Sequence, residues 1–226
     1  MSKTIFITGT DTDVGKTYIA LGLLKNLTEK KYACMALKPV ACGCDEPEGL
    51  YNADARALQK MASVQLDYQI VNPFLFKQAI APHLAASLAG TQLVASKIAK
   101  HISTTISNHA HDVCIIEGVG GWAVPLNNTE TMADVVVQLG LPVVVVVGMK
   151  LGCLNHAILT AKAIMQSGCH LIGWIANCID PNMEAQEANI ETLKSWLEVP
   201  CLGVVPYGEE VEDSISKSLF LPLQKV

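Results

Sequence analysis

A doubly wound α/β domain, with a mostly parallel sheet and helices on both faces, is the fold class this sequence predicts. Three observations carry the prediction. Short apolar runs rich in β-branched residues alternate with longer amphipathic stretches along the chain, the pattern of βαβ units. One of these runs, Leu141 to Gly148, contains five consecutive valines, and a strand that apolar has to be covered on both faces, as in a parallel sheet between helix layers. Polar residues gather at the ends of the runs, where open parallel sheets bind their ligands. With 226 residues, half of them hydrophobic, the chain is expected to bury one sizeable core and fold as a single domain over residues 1–226.

In chain order, Ile5 to Thr8 reads as a buried strand that breaks into a polar loop at Gly9, and an amphipathic helix runs from Lys16 to about Lys30. Ala33 to Lys38 is a second strand carrying a lysine at its C-terminal end, before Pro39. A loop from Ala41 to Gly49 precedes a helix over Ala53 to Met61, with Asp54 in its first turn, where a negative charge complements the helix dipole. Asn72-Pro73 and Ala81-Pro82-His83 break the stretch from Asp67 to Gly90, which reads as a loop-rich insertion with a short helix after Pro82. Leu93 to Asn108 is helical, and Val113 to Ile116 is a strand that ends on Glu117-Gly-Val-Gly-Gly121. After the valine strand come a helix from about Leu154 to Ser167 and a strand from Leu171 to Ile179. A helix from about Met183 to Leu197, a strand from Cys201 to Val205 and a terminal helix within Glu209 to Ser218 complete the chain.

Composition excludes several classes of function. The net charge is −5 and no Lys/Arg-rich run appears, so nucleic acid is not an expected partner. The longest apolar run, Leu139 to Met149, is broken by Gly140, Pro142 and Gly148 and is far short of the ~20 residues that span a bilayer. The first strand flows straight into the glycine loop without a signal-peptide core, so a cytoplasmic location is expected. The eight cysteines sit mostly in apolar segments, as free thiols do, and Cys42-Gly-Cys44 has no second pair at zinc spacing. His109-Ala-His111 reads as a solvated loop before a strand.

The chemistry begins at Gly9-Thr-Asp-Thr-Asp-Val-Gly-Lys-Thr17. Strand, loop closing on Gly-Lys-Thr, then helix is the physical recipe for holding a polyphosphate: backbone N–H groups and the positive helix end surround the anion, and Lys16 adds a charge. The usual spacing has four residues between the glycines, whereas five separate Gly9 from Gly15. Asp11 and Asp13 are unexpected in an anion cradle, where like charges repel, and are expected to face something else: a metal, a water or a cationic substrate group. Thr17, Asp54 and Glu117 form a donor set suited to Mg²⁺, and Lys16 and Lys38 are the natural cations for a phosphoryl group and an anionic acceptor. Thr12 to Thr17, Lys38, Glu117, Lys150 and Asn177 all fall at the carboxyl ends of strands.

These stretches, taken together with Lys38-Pro-Val-Ala, Pro47-Glu-Gly-Leu, Asn52-Ala-Asp54, Glu117-Gly-Val-Gly-Gly-Trp122, Lys150-Leu-Gly-Cys-Leu-Asn-His156 and Gly173-Trp-Ile-Ala-Asn177, resemble dethiobiotin synthetase nearly end to end, including the five-residue spacing. The resemblance implies a P-loop NTPase-like fold and ATP- and Mg²⁺-dependent closure of a cyclic urea in biotin synthesis. The substrates it implies are 7,8-diaminononanoate and CO₂. The steps run through a carbamate and a carbamic-phosphoric mixed anhydride. Lys38 would be the active-site lysine, with Lys16 and Thr12 beside it. Nucleotide would be held by Asp13, Val14, Gly15, Lys16, Thr17 and Tyr18, by Asp54, and by Glu117, Gly118, Val119 and Gly120. Asn177, Cys178, Pro206, Tyr207 and Gly208 would contact the base. Thr17, Asp54 and Glu117 match the metal ligands. The active unit would be a homodimer, with Thr12, Lys38, Cys42 and, from the other subunit, Gly152, Cys153, Leu154 and Asn155 on the substrate.

Two positions depart from the family's pattern: Cys42 stands where serine is common, and Asp13 where glutamate is common. Asn177-Cys-Ile-Asp180 echoes a guanine-binding arrangement without its lysine, so the base preference stays open between strict and relaxed. Two other readings compete. An amidotransferase-type ligase would need a further glutaminase domain. A septum-placing or partitioning ATPase would carry an extra lysine early in its phosphate loop, and Gly9 to Val14 contains none.

Overall fold

Alternation within the valine run sets the architecture. The strand β6 (Val143–Gly148) is buried along its whole length, with Val143, Val145 and Val147 in one hydrophobic core and Val144 and Val146 in another. Period-two side chains thus feed two cores, one on each face. The architecture is a computed structural model describing residues 3–44 and 51–214. The other strands of the main sheet are β1 (Lys3–Gly9), β2 (Cys34–Leu37), β5 (Val113–Glu117), β7 (Leu171–Asn177) and β8 (Cys201–Val205). Their order is β2-β5-β1-β6-β7-β8, parallel throughout.

The helices α1 (Lys16–Glu29), α2 (Ala53–Met61) and α9 (Val211–Ser214) cover one face, through Ile19, Leu23, Leu24, Leu58 and Val211. On the opposite face lie α5 (Ala95–Asn108), α6 (Met132–Leu139), α7 (Cys153–Gln166) and α8 (Gln186–Trp196), contributing Ile98, Val135, Ala157 and Ile190. The doubly wound fold class is therefore as expected. The chain leaves β1 first for β2 and β5 on one side and then for β6, β7 and β8 on the other, so the carboxyl end of β1 is the switch point of the sheet. Among the described residues, no helix is long and apolar enough to cross a membrane. All eight cysteines are free thiols.

Two features depart from the sequence reading. The helix α6 was not anticipated, because its Met-Ala-Asp-Val-Val-Val-Gln-Leu stretch carries three β-branched residues in a row. Local devices offset that propensity: Asp134 accepts the Thr131 N–H at 2.6 Å, and Gly140 closes the helix in the left-handed conformation. The insertion from 67 to 90 is more ordered than a loop. It holds α3 (Tyr68–Val71), β4 (Phe74–Phe76) and α4 (Pro82–Leu88), and β4 pairs in parallel with β3 (Val40–Cys42) to make a second small sheet. Strands of three residues leave no readable alternation in a sequence. The Pro47-Glu-Gly-Leu stretch and the terminal helix beyond Ser214 lie outside the described residues.

Candidate active site

Most of the charge here hangs from the ends of β1, β2 and β5, with Asp54 added from the first turn of α2. After β1 the chain passes through the glycine loop into α1, which begins at Lys16 with no side chain capping it. Its first-turn N–H groups remain for a ligand. Gly15 takes φ +88°, and a Cβ placed there would lie 2.1 Å from the Asn177 amide nitrogen. Only glycine fits between that amide and the helix start. The Asn177 amide in turn donates to the Val14 carbonyl at 2.9 Å, locking the loop to the end of β7.

Lys38 is the centre of the charged cluster. Its ammonium donates to Glu117 Oε1 at 2.6 Å and to Asp54 Oδ2 at 2.8 Å, and the Thr17 hydroxyl donates to the same Glu117 oxygen at 2.8 Å. Lys38 and Glu117 are 5% and 1% exposed, so neither charge is screened by water. Burial pulls the Lys38 pKa down, but the charges of Glu117 and Asp54 outweigh it and the value is raised, keeping the ammonium protonated. Lys16 shows the opposite balance: burial dominates the attraction of Glu117, and its pKa is lowered. Its ammonium donates to the Asp11 carbonyl at 2.8 Å.

The insertion explains why Lys38 is held so firmly. Its own N–H donates to the Val71 carbonyl at 3.0 Å, its carbonyl accepts from the buried Asn72 amide at 2.5 Å, and the Phe74 N–H donates to Pro39 O at 3.1 Å. Asn52 caps α2, accepting from Ala55 N at 3.1 Å and donating to Gly43 O at 3.0 Å, and so aims Asp54 at Lys38. The sequence reading missed both asparagines as supports. An Asn before Pro73 and an Asn before a helix were the available signals.

A cavity of about 920 Å³ opens over this cluster. Thr12, Asp13, Gly15, Lys16, Thr17, Tyr18, Lys38, Cys42, Asp54, Glu117, Gly118, Val119 and Gly120, all among the residues expected at the site, line it. Ala79, Ile80, Ala81 and Pro82 add an apolar wall from the insertion that was not foreseen. Burial pushes the Cys42 thiol up to about 11, so this position offers a neutral, weakly bonding group.

A family model described as an AAA domain matches residues 3–214. The chain is 46% identical to the ATP-dependent dethiobiotin synthetase of Pseudoalteromonas translucida over 92% of each chain. It is 48% identical to that of Pseudomonas aeruginosa over 91% of this chain and 90% of the other. The chain belongs to the dethiobiotin synthetase family. Its fold also resembles the septum site-determining protein MinD of Pyrococcus horikoshii, solved with Mg-ADP, with a TM-score of 0.58, covering 98% of this chain and 90% of that one. At 15% identity that likeness shows the fold alone.

The remaining expected site positions sit beside the cavity rather than in its wall. Asn177 and Cys178 are buried at the end of β7, and the Cys178 N–H donates to Val205 O at 2.9 Å, which sets Pro206, Tyr207 and Gly208 next to them. Gly152, Cys153, Leu154 and Asn155 form the N-terminal turn of α7 beyond β6, outside this cavity, with Cys153 buried in the core and Asn155 exposed. The two loop acids differ in their surroundings. Asp11 accepts the Thr12 N–H at 2.7 Å and faces Lys150 at 3.5 Å, so its counter-charge comes from the protein. Asp13, at φ +57°, lines the cavity itself.

Proposed function

We propose that this chain, in the cytoplasm and as a homodimer, closes the cyclic urea of dethiobiotin from 7,8-diaminononanoate, CO₂ and ATP, releasing ADP and phosphate. The observation that carries the reading is Lys38. A buried ammonium, whose pKa Glu117 and Asp54 raise against the effect of burial, stands at the floor of a cavity whose other wall is the phosphate loop. One substrate amine adds to CO₂ and loses a proton, giving a carbamate. That anion has to approach a triphosphate, and Lys38 and Lys16 lower the repulsion between them. A carbamate oxygen then attacks the γ-phosphorus and ADP leaves. The second amine attacks the carbonyl carbon of the mixed anhydride, loses its proton and expels phosphate, a ring closure favoured by proximity. Thr12 and Cys42 line the cavity wall, which supports the reading that they touch the substrate. Lys16 exchanges the Asp11 carbonyl for phosphate oxygens on binding.

The donor set fits a hard divalent cation. Thr17, Asp54 and Glu117 bring one hydroxyl and two carboxylates together, and Glu117 Oε2 is buried without a hydrogen-bond partner. These three residues would hold Mg²⁺, which supplies neutralisation of phosphate charge when bound. Asn177, Cys178 and Pro206 to Gly208 would take the base, with ATP preferred by family. The turn at Gly152 to Asn155, exposed at its two ends, would meet the substrate's carboxylate end from the neighbouring subunit, as a helix N-terminus suits an anion.

The experiment is ADP release with each substrate omitted in turn, with the product followed by mass. Release that requires both diaminononanoate and CO₂, with a cyclic urea formed, is the expected result. Release that is unchanged when either is left out would reject the reading.

A further inference from the structure

One face of α1 does two things at once. Its N-terminus forms the phosphate cradle, and positions 18, 22 and 25, spaced along one helical stripe, hold the segment that follows β8. The Tyr18 hydroxyl donates to the Glu209 carbonyl. Val211, 2% exposed, nests on Gly22 so closely that a Cβ there would lie 2.2 Å from the Val211 Cβ. Lys25 reaches Glu210 at 3.7 Å. The segment between is a tight turn: the Glu209 N–H donates to Pro206 O at 3.3 Å and Gly208 takes φ +75°. Its other end is fixed where the Cys178 N–H meets Val205 O at 2.9 Å. Pro206-Tyr207-Gly208 is therefore pinned at both ends, once to β7 and once to α1.

We propose that Tyr18 is a positioning residue for the nucleotide base. By tying Glu209 to the helix that cradles the phosphates, it sets the span between the phosphate loop and the Pro206–Gly208 turn. A ligand with both a base and a phosphate chain reads that span; a phosphate chain alone does not. Tyr18 lines the cavity beside Thr17, so the side chain that bonds Glu209 also borders the cavity. Gly22 and Val211 fix α9 by packing and Lys25 reaches Glu210, which leaves the Tyr18 hydroxyl as the direct tie to Glu209. This inference rests on the reading of Pro206–Gly208 as the base segment, and the test separates the two.

In Tyr18→Phe the ring stays and the hydrogen bond is lost. Affinities of the full chain for ATP and for inorganic tripolyphosphate are measured by calorimetric titration, and hydrogen exchange of residues 206–210 is followed with and without ADP. The expected result is an ATP affinity lower by about fivefold, the scale of one lost hydrogen bond, with tripolyphosphate unchanged and ADP protection of 206–210 diminished. Equal weakening of both ligands, or of neither, would overturn the role of Tyr18. Protection that persists undiminished in the variant would do the same. Absence of ADP protection in the unsubstituted chain would instead remove the base-segment reading, and this inference with it.

Discussion

The carboxyl edge of the sheet has two halves built on different physics. Over β1, β2 and β5 it is electrostatic: Lys38 sits within 2.8 Å of two carboxylates, and Lys38 and Glu117 are almost fully buried. Over β7 and β8 it is neutral, held by amide and backbone hydrogen bonds such as Asn177 to Val14 and Cys178 to Val205. A charge in a dry site acts over distance and is costly to leave unpaired. A neutral hydrogen bond positions its neighbours and contributes about 1 kcal/mol. The first half is therefore suited to chemistry and the second to binding, and substitutions in each are expected to move different kinetic constants.

The largest effect is expected at Lys38. Lys38→Ala removes the cation proposed to face the developing phosphoryl charge and leaves the buried Glu117 carboxylate without its cationic partner. Turnover should fall by about a thousandfold, the upper range for losing one preorganised electrostatic donor, while ATP affinity changes far less. Rates near normal would make Lys38 a structural group and break the division. Glu117→Gln is the next largest. It keeps the shape but removes the charge that Thr17, Lys38 and Mg²⁺ are proposed to share. The Mg²⁺ dependence of nucleotide binding should weaken by about tenfold or more, a loss already typical of groups that only support a metal ligand. An unaltered metal titration would reject that role.

The two halves also differ in how far they were legible from sequence. Lys16, Thr17, Lys38, Asp54 and Glu117 each sit at a strand end or helix start, so chemistry and position coincided and the cluster was foreseeable. What was not foreseeable was the support. Asn72 and the paired strands β3 and β4 hold the Lys38 backbone across about thirty residues of chain, and three-residue strands carry no periodic signal. The α6 helix was hidden because its three valines speak for a strand while its cap and Gly140 speak for a helix. Asp11 was expected to face a metal, a water or a cationic substrate group, yet Lys150, just beyond the end of β6, lies 3.5 Å from it. Pairings between segments that are distant in the chain are set by topology, which residue types alone do not state.

Asn177→Ala is the sharpest test of the neutral half, with the smallest expected effect. The Asn177 amide is buried, donates to Val14 O at 2.9 Å and abuts Gly15. Removing it leaves the Val14 carbonyl without that donor and opens a gap behind the φ +88° glycine that starts the phosphate cradle. The loop then samples conformations in which its N–H groups diverge. Binding has to select the convergent one, and apparent affinity drops by the fraction lost. A lost hydrogen bond of about 1 kcal/mol corresponds to about a fivefold weaker nucleotide affinity. Once nucleotide is bound, the charged cluster is intact, so the rate at saturation should stay within about twofold. Titration of nucleotide affinity beside turnover at saturating substrates separates these outcomes. If Asn177→Ala lowered turnover as Lys38→Ala is expected to, the edge would be one cooperative unit and its division into a binding half and a chemical half would fail.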